Sequence, residues 1–115
     1  MKYRRGDVFL ALFPYSDLRS AKRRPVVVVQ SNELETDLAQ LIVAMITSDL
    51  RRAGHPSRVT ATRNSAQGKR SGLLTDSVVM TDNLYTARER AFNRRIGFLE
   101  MDAIDSALRH TLGLK

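Results

Sequence analysis

Pro25 is followed at once by Val26-Val27-Val28-Val29, and no other stretch restricts the fold of this chain so much. β-branched side chains favour extended backbone. A short apolar run without polar alternation reads as a buried, central strand, here Val26 to Gln30. Proline fixes its own φ and drives the residue before it into an extended conformation. Pro25 is tolerated as the first strand residue, where a ladder donor is dispensable. The same rule gives Arg24 a constrained exit direction. Arginine is the side chain best shaped to grip a phosphate in a fork. On local grounds Arg24 reads either as a preset phosphate ligand or as an ordinary basic residue leading into a strand.

The rest of the chain adds more short strands. Val8 to Phe13 alternates, with Val8, Leu10 and Leu12 on one side and Phe9, Ala11 and Phe13 on the other, and Pro14 ends it. Tyr15 to Arg24 is a polar, basic loop, and Ser31 to Gln40 an acidic, polar one. Leu41 to Thr47 forms a second buried strand, and Arg58 to Thr62 a partly exposed one. The residues between, Asp49 to Pro56, carry Gly54 and Pro56 and read as a loop. Arg63 to Gly72 is polar, basic and twice interrupted by glycine, hence also a loop. Ser77 to Met80 is a strand that Leu84 to Thr86 continues after a kink at Asp82-Asn83. Residues 87–95 are rich in arginine and poor in apolar anchors.

One helix stands out, Glu100 to Leu112, with Met101, Ile104, Leu108 and Leu112 on one face. Acids in its first turn and Arg109 and His110 near its end suit the macrodipole, and Gly113 is placed to cap it. Short strands with large loops, no βαβ alternation and one terminal helix predict a mainly β fold. The expected form is a small antiparallel barrel with the helix over one end or face. At 115 residues the chain is expected to be a single domain, 1–115.

The net charge of +7 is uneven. Residues 1–25 hold seven Lys/Arg against two acids. Residues 26–50 hold four acids and no Lys/Arg, and residues 51–75 hold six Lys/Arg and no acid. If the fold unites the two basic blocks they form a face for a polyanion such as RNA, DNA or an acidic protein segment. If it keeps them apart they are two solvated loops. With no cysteine, disulfides and thiolate metal sites are excluded. Two isolated histidines, His55 and His110, with scattered acids make no metal-ligand set. No apolar leader precedes the first strand, and no apolar stretch is long enough to span a bilayer, so a cytoplasmic location without membrane contact is expected.

Arg5-Gly6-Asp7-Val8-Phe9, Phe13-Pro14-Tyr15-Ser16-Asp17-Leu18 and Lys22-Arg23-Arg24-Pro25 with its valine run resemble the PemK/MazF toxin family. So do Ala44-Met45-Ile46-Thr47-Ser48, Asp76 to Asp82, Arg95-Ile96-Gly97 and the terminal helix ending in Leu112-Gly113-Leu114. The likeness runs in order over nearly the whole chain. It implies an SH3-like barrel, a homodimer, and cleavage of single-stranded RNA at short motifs without a metal or other cofactor. It also implies a cognate acidic antitoxin that occupies the RNA groove. In the family, the arginine before the second-strand proline and the threonine ending the third strand form the main catalytic pair, here Arg24 and Thr47. Two positions depart from some relatives: Met80 stands where an arginine occurs, and Tyr85-Thr86 where an Arg-Thr pair occurs.

Metal-free RNA cleavage uses the RNA's own 2′-hydroxyl, which attacks the adjacent phosphorus and expels the 5′-oxygen. The enzyme orients the hydroxyl, neutralises phosphorane charge and manages two protons. Arg24 suits charge neutralisation and donation to the leaving oxygen. Thr47 suits a hydrogen bond to a non-bridging oxygen, with Ser48 as its neighbour and Asp82 the candidate base by position. Arg19, Lys22, Arg23, Arg51, Arg52, His55 and Arg58 are candidates for an RNA track, and Tyr15, Phe13 and Tyr85 for base stacking. Singly, most of these arginines also read as hydrated surface charges. Two rival functions remain: a non-catalytic nucleic-acid-binding barrel, and a gyrase-poisoning toxin of the same fold. The second relies on a tryptophan near the C-terminus, and this chain has none.

Overall fold

Successive side chains of a strand point to opposite faces, so a strand covered on both sides needs an unbroken apolar run. The valines meet that condition. A computed structural model of the chain describes residues 3–14 and 21–115. In it, Val26 and Val28 enter one apolar cluster, while Val27 and Val29 enter another. The strand that carries the first three, β2 (Ala21–Val28), lies between β1 (Asp7–Pro14) and β3 (Gln40–Thr47). It is central, as expected.

Three further strands, β4 (Arg58–Ala61), β5 (Ser77–Arg88) and β6 (Phe92–Phe98), complete a six-stranded sheet of order β4-β5-β3-β2-β1-β6. Every neighbouring pair is antiparallel. Helix α1 (Ala66–Ser71) precedes β5, and helix α2 (Asp102–Leu112) closes the chain. The mainly β fold with one main C-terminal helix is therefore the one expected. Among the described residues β4 and β6 do not pair, so the small barrel is an open one. One cluster packs Val8, Val27, Ala44, Ile46 and Val79 against Ile104 and Leu108 of α2. The other gathers Phe9, Ala11, Val26, Val28, Leu41, Val43 and Ala87. It is closed by Tyr3 and Phe92, whose rings lie 5.2 and 5.1 Å from that of Phe9.

Five elements differ from the sequence reading. β2 begins at Ala21, not Val26, so Arg24 and Pro25 are strand residues paired with Ala11 and Leu10. Proline is accommodated because pairing with β3 covers only Val26 to Val28; Pro25 has a neighbour on one side alone. β5 runs unbroken through Asp82-Asn83, but the expected kink is present as a bulge. Ala44 faces Leu84 and the next residue, Met45, faces Met80, which extrudes Thr81, Asp82 and Asn83.

Residues 63–72 contain α1. Ser65 caps it by accepting from the Gly68 N–H at 2.9 Å, and Gly72 ends it at φ +74. The arginine-rich stretch after residue 87 forms the end of β5 and then β6, anchored by Phe92 on one cluster and Ile96 on the other. Gly97 lets β6 pass close under α1, since a Cβ there would stand 2.2 Å from the Arg70 carbonyl oxygen. Glu100 lies outside α2 and pairs with Arg70 at 2.6 Å. Gly113 caps α2 at φ +69, as expected.

Ile104→Ala is expected to lower unfolding free energy by about 2–5 kcal/mol, because the side chain is fully buried between α2 and the sheet. Leu74→Ala, at a side chain 85% exposed, is expected to stay within about 0.5 kcal/mol of the parent. Urea unfolding of both variants checks the contrast.

Candidate active site and nucleic-acid interface

The site begins where β2 parts from β3. Their last paired residues are Val26 and Met45. Counting on from that pair, Arg24 falls opposite Thr47 at the open end. Arg24 pairs with Ala11 across β1, and Ala11 belongs to the cluster of Val26 and Val28. Thr47 lies two residues beyond Met45, which packs on the same cluster. The guanidinium and the hydroxyl therefore leave adjacent strands on one face, and both residues are half-buried.

A cleft of about 310 Å³ opens beside the gap. Leu10, Pro25, Ile46, Leu73 and Ile96 wall it, and Lys22, Arg23, Arg24, Arg94 and Ser48 edge it. The split strands thus supply a nonpolar slot with cations at its mouth, suited to a flat base next to a phosphate.

The turn after β3 holds Thr47 in place. The Asp49 N–H donates to Thr47 Oγ1 at 3.1 Å, which leaves the hydroxyl proton free to point at a ligand. Asp49 caps a 3₁₀ turn, Leu50–Arg52, by accepting from the Arg51 N–H. Its carboxylate also takes the Arg51 guanidinium at 2.9 and 3.0 Å. That hydrogen-bonded pairing holds the Asp49 carboxyl below its ordinary range. The Arg51 side chain is 89% exposed, with Arg52 and the exposed His55 following it. The two basic blocks of the sequence therefore meet at one end of the sheet.

Asp82 and Arg58 are brought together from β5 and β4. Arg58 Nη2 lies 2.7 Å from Asp82 Oδ2, and Arg58 Nε lies 3.4 Å from Oδ1. Arg58 Nη1 donates to the Arg52 carbonyl oxygen at 3.1 Å. The Arg58 hydrogen bond holds the Asp82 carboxyl below its ordinary value of 3.8, and an anion so paired is a weak proton acceptor at neutral pH. Arg58 also stands directly across from Met80 in the β4–β5 register. The cation missing at Met80 is thus present one strand away.

His55 and His110, far apart in sequence, place their ring centroids 6.2 Å apart. His55 Nδ1 accepts the Ser57 N–H at 3.0 Å. Among the described residues no three His, Cys, Asp or Glu side chains converge as metal ligands, and no helix is long and apolar enough to cross a membrane. Tyr85, 47% exposed, faces the side of Val43 and so shares the face of Arg24 and Thr47. Tyr15 and Arg19 lie outside the described residues with the rest of the β1–β2 connection, 15–20, and so does the side chain of Phe13.

Arg94 is a further cation at the site. It faces Leu10 across β1 and joins Arg23 at the cleft. Its only signal was membership of the arginine-rich stretch that proved to be β6.

Comparison with known proteins follows the same lines. A family model described as PemK-like, MazF-like toxin of type II toxin–antitoxin system matches residues 4–112. A curated relative from Staphylococcus epidermidis, Endoribonuclease MazF, is 32% identical over 115 residues, covering 96% of this chain and 92% of that protein. The solved Mycobacterium tuberculosis toxin MazF-mt6 superposes with a TM-score of 0.73 at 26% identity, over 95% of this chain and 98% of that one. A mycobacterial endoribonuclease solved with its cognate antitoxin gives a TM-score of 0.76 at 22% identity, over 98% and 97%. That last likeness speaks for the fold.

The Asp82 carboxyl has a folded-state pKa below its ordinary value. The stability it contributes is complete above about pH 5 and lost as pH falls through the folded pKa. Asp82→Asn is expected to lower stability at pH 7 by the small amount typical of exposed pairs and to converge with the parent below the folded pKa, which flattens its acid limb. Urea midpoints between pH 2 and pH 7 for both proteins measure this.

Proposed function

The chain belongs to the PemK-like, MazF-like toxins of type II toxin–antitoxin systems, and from that premise we propose that it is an endoribonuclease toxin cutting single-stranded RNA at short sequence motifs. Cleavage proceeds by transesterification without a metal. The 2′-oxygen bonds to phosphorus, the bond to the 5′-oxygen breaks, and the products are a 2′,3′-cyclic phosphate and a 5′-hydroxyl end. Arg24 neutralises the charge that grows on the phosphorane, where a preorganised cation acts most strongly. Thr47, with its oxygen already accepting from Asp49, donates its proton to a non-bridging oxygen, and Ser48 assists at the cleft. The observation that carries this reading is the convergence of Arg24 and Thr47 on one face where β2 and β3 separate.

The flanking cations hold the strand. Lys22, Arg23, Arg51 and Arg52, with His55 beside them, are exposed and flank the two catalytic positions in the chain. They bind phosphates without reading sequence. Base choice falls to the apolar cleft and to Tyr85. The partners are the RNA, a cognate acidic antitoxin and a second copy of the chain. The chain acts in the cytoplasm as one domain.

Incubation of the purified protein with a long single-stranded RNA in EDTA tests the reaction. Discrete cuts with 5′-hydroxyl ends are expected, with rates lower by about 10²–10³ in Arg24→Ala and in Thr47→Ala. Intact RNA at high protein concentration removes the proposal, and binding without cleavage by every form favours a non-catalytic barrel. Arg51→Ala and Arg52→Ala are each expected to weaken RNA binding. A variant that neutralises one phosphate fewer has a slope of log affinity against log salt shallower by about 0.7. Binding titrations from low to moderate salt give that slope.

A further inference from the structure

Two residues that look like parts of the chemistry, Asp82 and Arg58, are committed to each other. Arg58 spends its Nε and Nη2 on the Asp82 carboxylate and its Nη1 on the Arg52 carbonyl oxygen. Its side chain is 20% exposed, against 89% for Arg51. A guanidinium engaged on three sides offers a phosphate little. A carboxylate already paired with it accepts a proton poorly.

Their position shows what the pair does. Ser57 and Thr81, the residues just before Arg58 and Asp82 in the chain, are also joined: the Ser57 carbonyl oxygen accepts the Thr81 N–H at 3.0 Å and the Thr81 hydroxyl at 2.6 Å. The β5 bulge is thus stitched to β4 at two successive residues. From Arg58 the connection continues through the Arg52 oxygen into the 3₁₀ turn. The turn is closed by Arg52 N–H and Ala53 N–H bonds to the oxygens of Asp49 and Leu50. Asp49 then fixes Thr47 Oγ1. An unbroken hydrogen-bonded path leads from the bulge to the threonine hydroxyl.

We propose that Arg58 and Asp82 are positioning residues, a clamp that holds the turn after β3 against the β5 bulge and thereby aims the Thr47 hydroxyl. The clamp rests on the nuclease reading for its consequence but not for its structure. It makes three roles separable. A proton-accepting Asp82 acts alone. A phosphate-binding Arg58 acts on affinity. A clamp acts on rate, through Thr47, and needs both partners.

The test combines single-turnover cleavage at saturating RNA with hydrogen exchange of the full-length protein, for Arg58→Met, Asp82→Asn and each combined with Thr47→Ala. Each single change is expected to slow cleavage by about tenfold to a hundredfold, the scale of an ångström-level misplacement. RNA affinity is expected to hold, and amides 51–53 to exchange faster. In the Thr47→Ala background neither change is expected to slow cleavage further, because the residue it aims is gone. A weaker affinity and shallower salt slope for Arg58→Met with its rate intact overturns the clamp in favour of a phosphate ligand. Loss confined to Asp82→Asn, with the alkaline-rising limb of the pH profile removed, overturns it in favour of a base. Unchanged exchange at 51–53 overturns it whatever the RNA does. A parent protein that leaves RNA intact sinks the nuclease reading instead, and the exchange result then decides the clamp on its own.

Discussion

A strand buried on both faces has no room for a charge, so β2 must lose a neighbour before it can carry Arg24. That constraint organises the molecule. Where β1 and β3 both flank it, β2 is valine throughout, with side chains in two clusters. Where β3 falls away, the same strand continues on β1 alone and carries proline, arginine and lysine. The gap left by the parting strands opens beside the cleft, which Arg24 edges, and Thr47 stands opposite Arg24 in register across the gap. Taking a charged side chain into the part of β2 covered on both sides would cost its hydration. The cationic residues of β2 accordingly lie at the end where β1 alone flanks it.

Charge is arranged with the same economy. Five of the acids are committed to particular arginines: Asp7 to Arg95, Asp49 to Arg51, Asp82 to Arg58, Asp105 to Arg5 and Glu100 to Arg70. Exposed pairs of this kind add little stability one at a time. Their effect is to orient, fixing the turn after β3, the β5 bulge and the approach of β6. Among the described residues Lys22, Arg23 and Arg94 form no ion pair, and all three border the cleft. The excess positive charge thus gathers where a polyanion would approach.

Much of this was legible in the chain. The valine run announced a central strand, Leu41 to Thr47 a second, and the spacing of Met101, Ile104 and Leu108 the terminal helix. The Asp82-Asn83 kink proved a bulge at the same residues. Arg24 and Thr47 came from family likeness; the register then set them on one face. What escaped notice shares a cause. β6 and the first half of β2 are strands that carry paired arginines, because each has one flank free for long charged side chains to reach water. Periodicity of apolar residues cannot detect a strand whose burial is one-sided and brief. α1 was hidden by its glycines, which here serve close packing rather than flexibility.

The order of residues by itself determined which segments are extended, where the one long helix runs, and that two cationic blocks flank an acidic one. Those properties are local: β-branching, helical spacing and charge act within a few residues of one another. Only the tertiary structure decided that the two blocks meet, that Arg94 joins Arg23, that His55 faces His110, and that Arg58 takes the carboxylate of Asp82. Each of these brings together residues at least 24 positions apart in the chain. Such an approach depends on strand order and register, which follow from how the two apolar clusters pack as wholes.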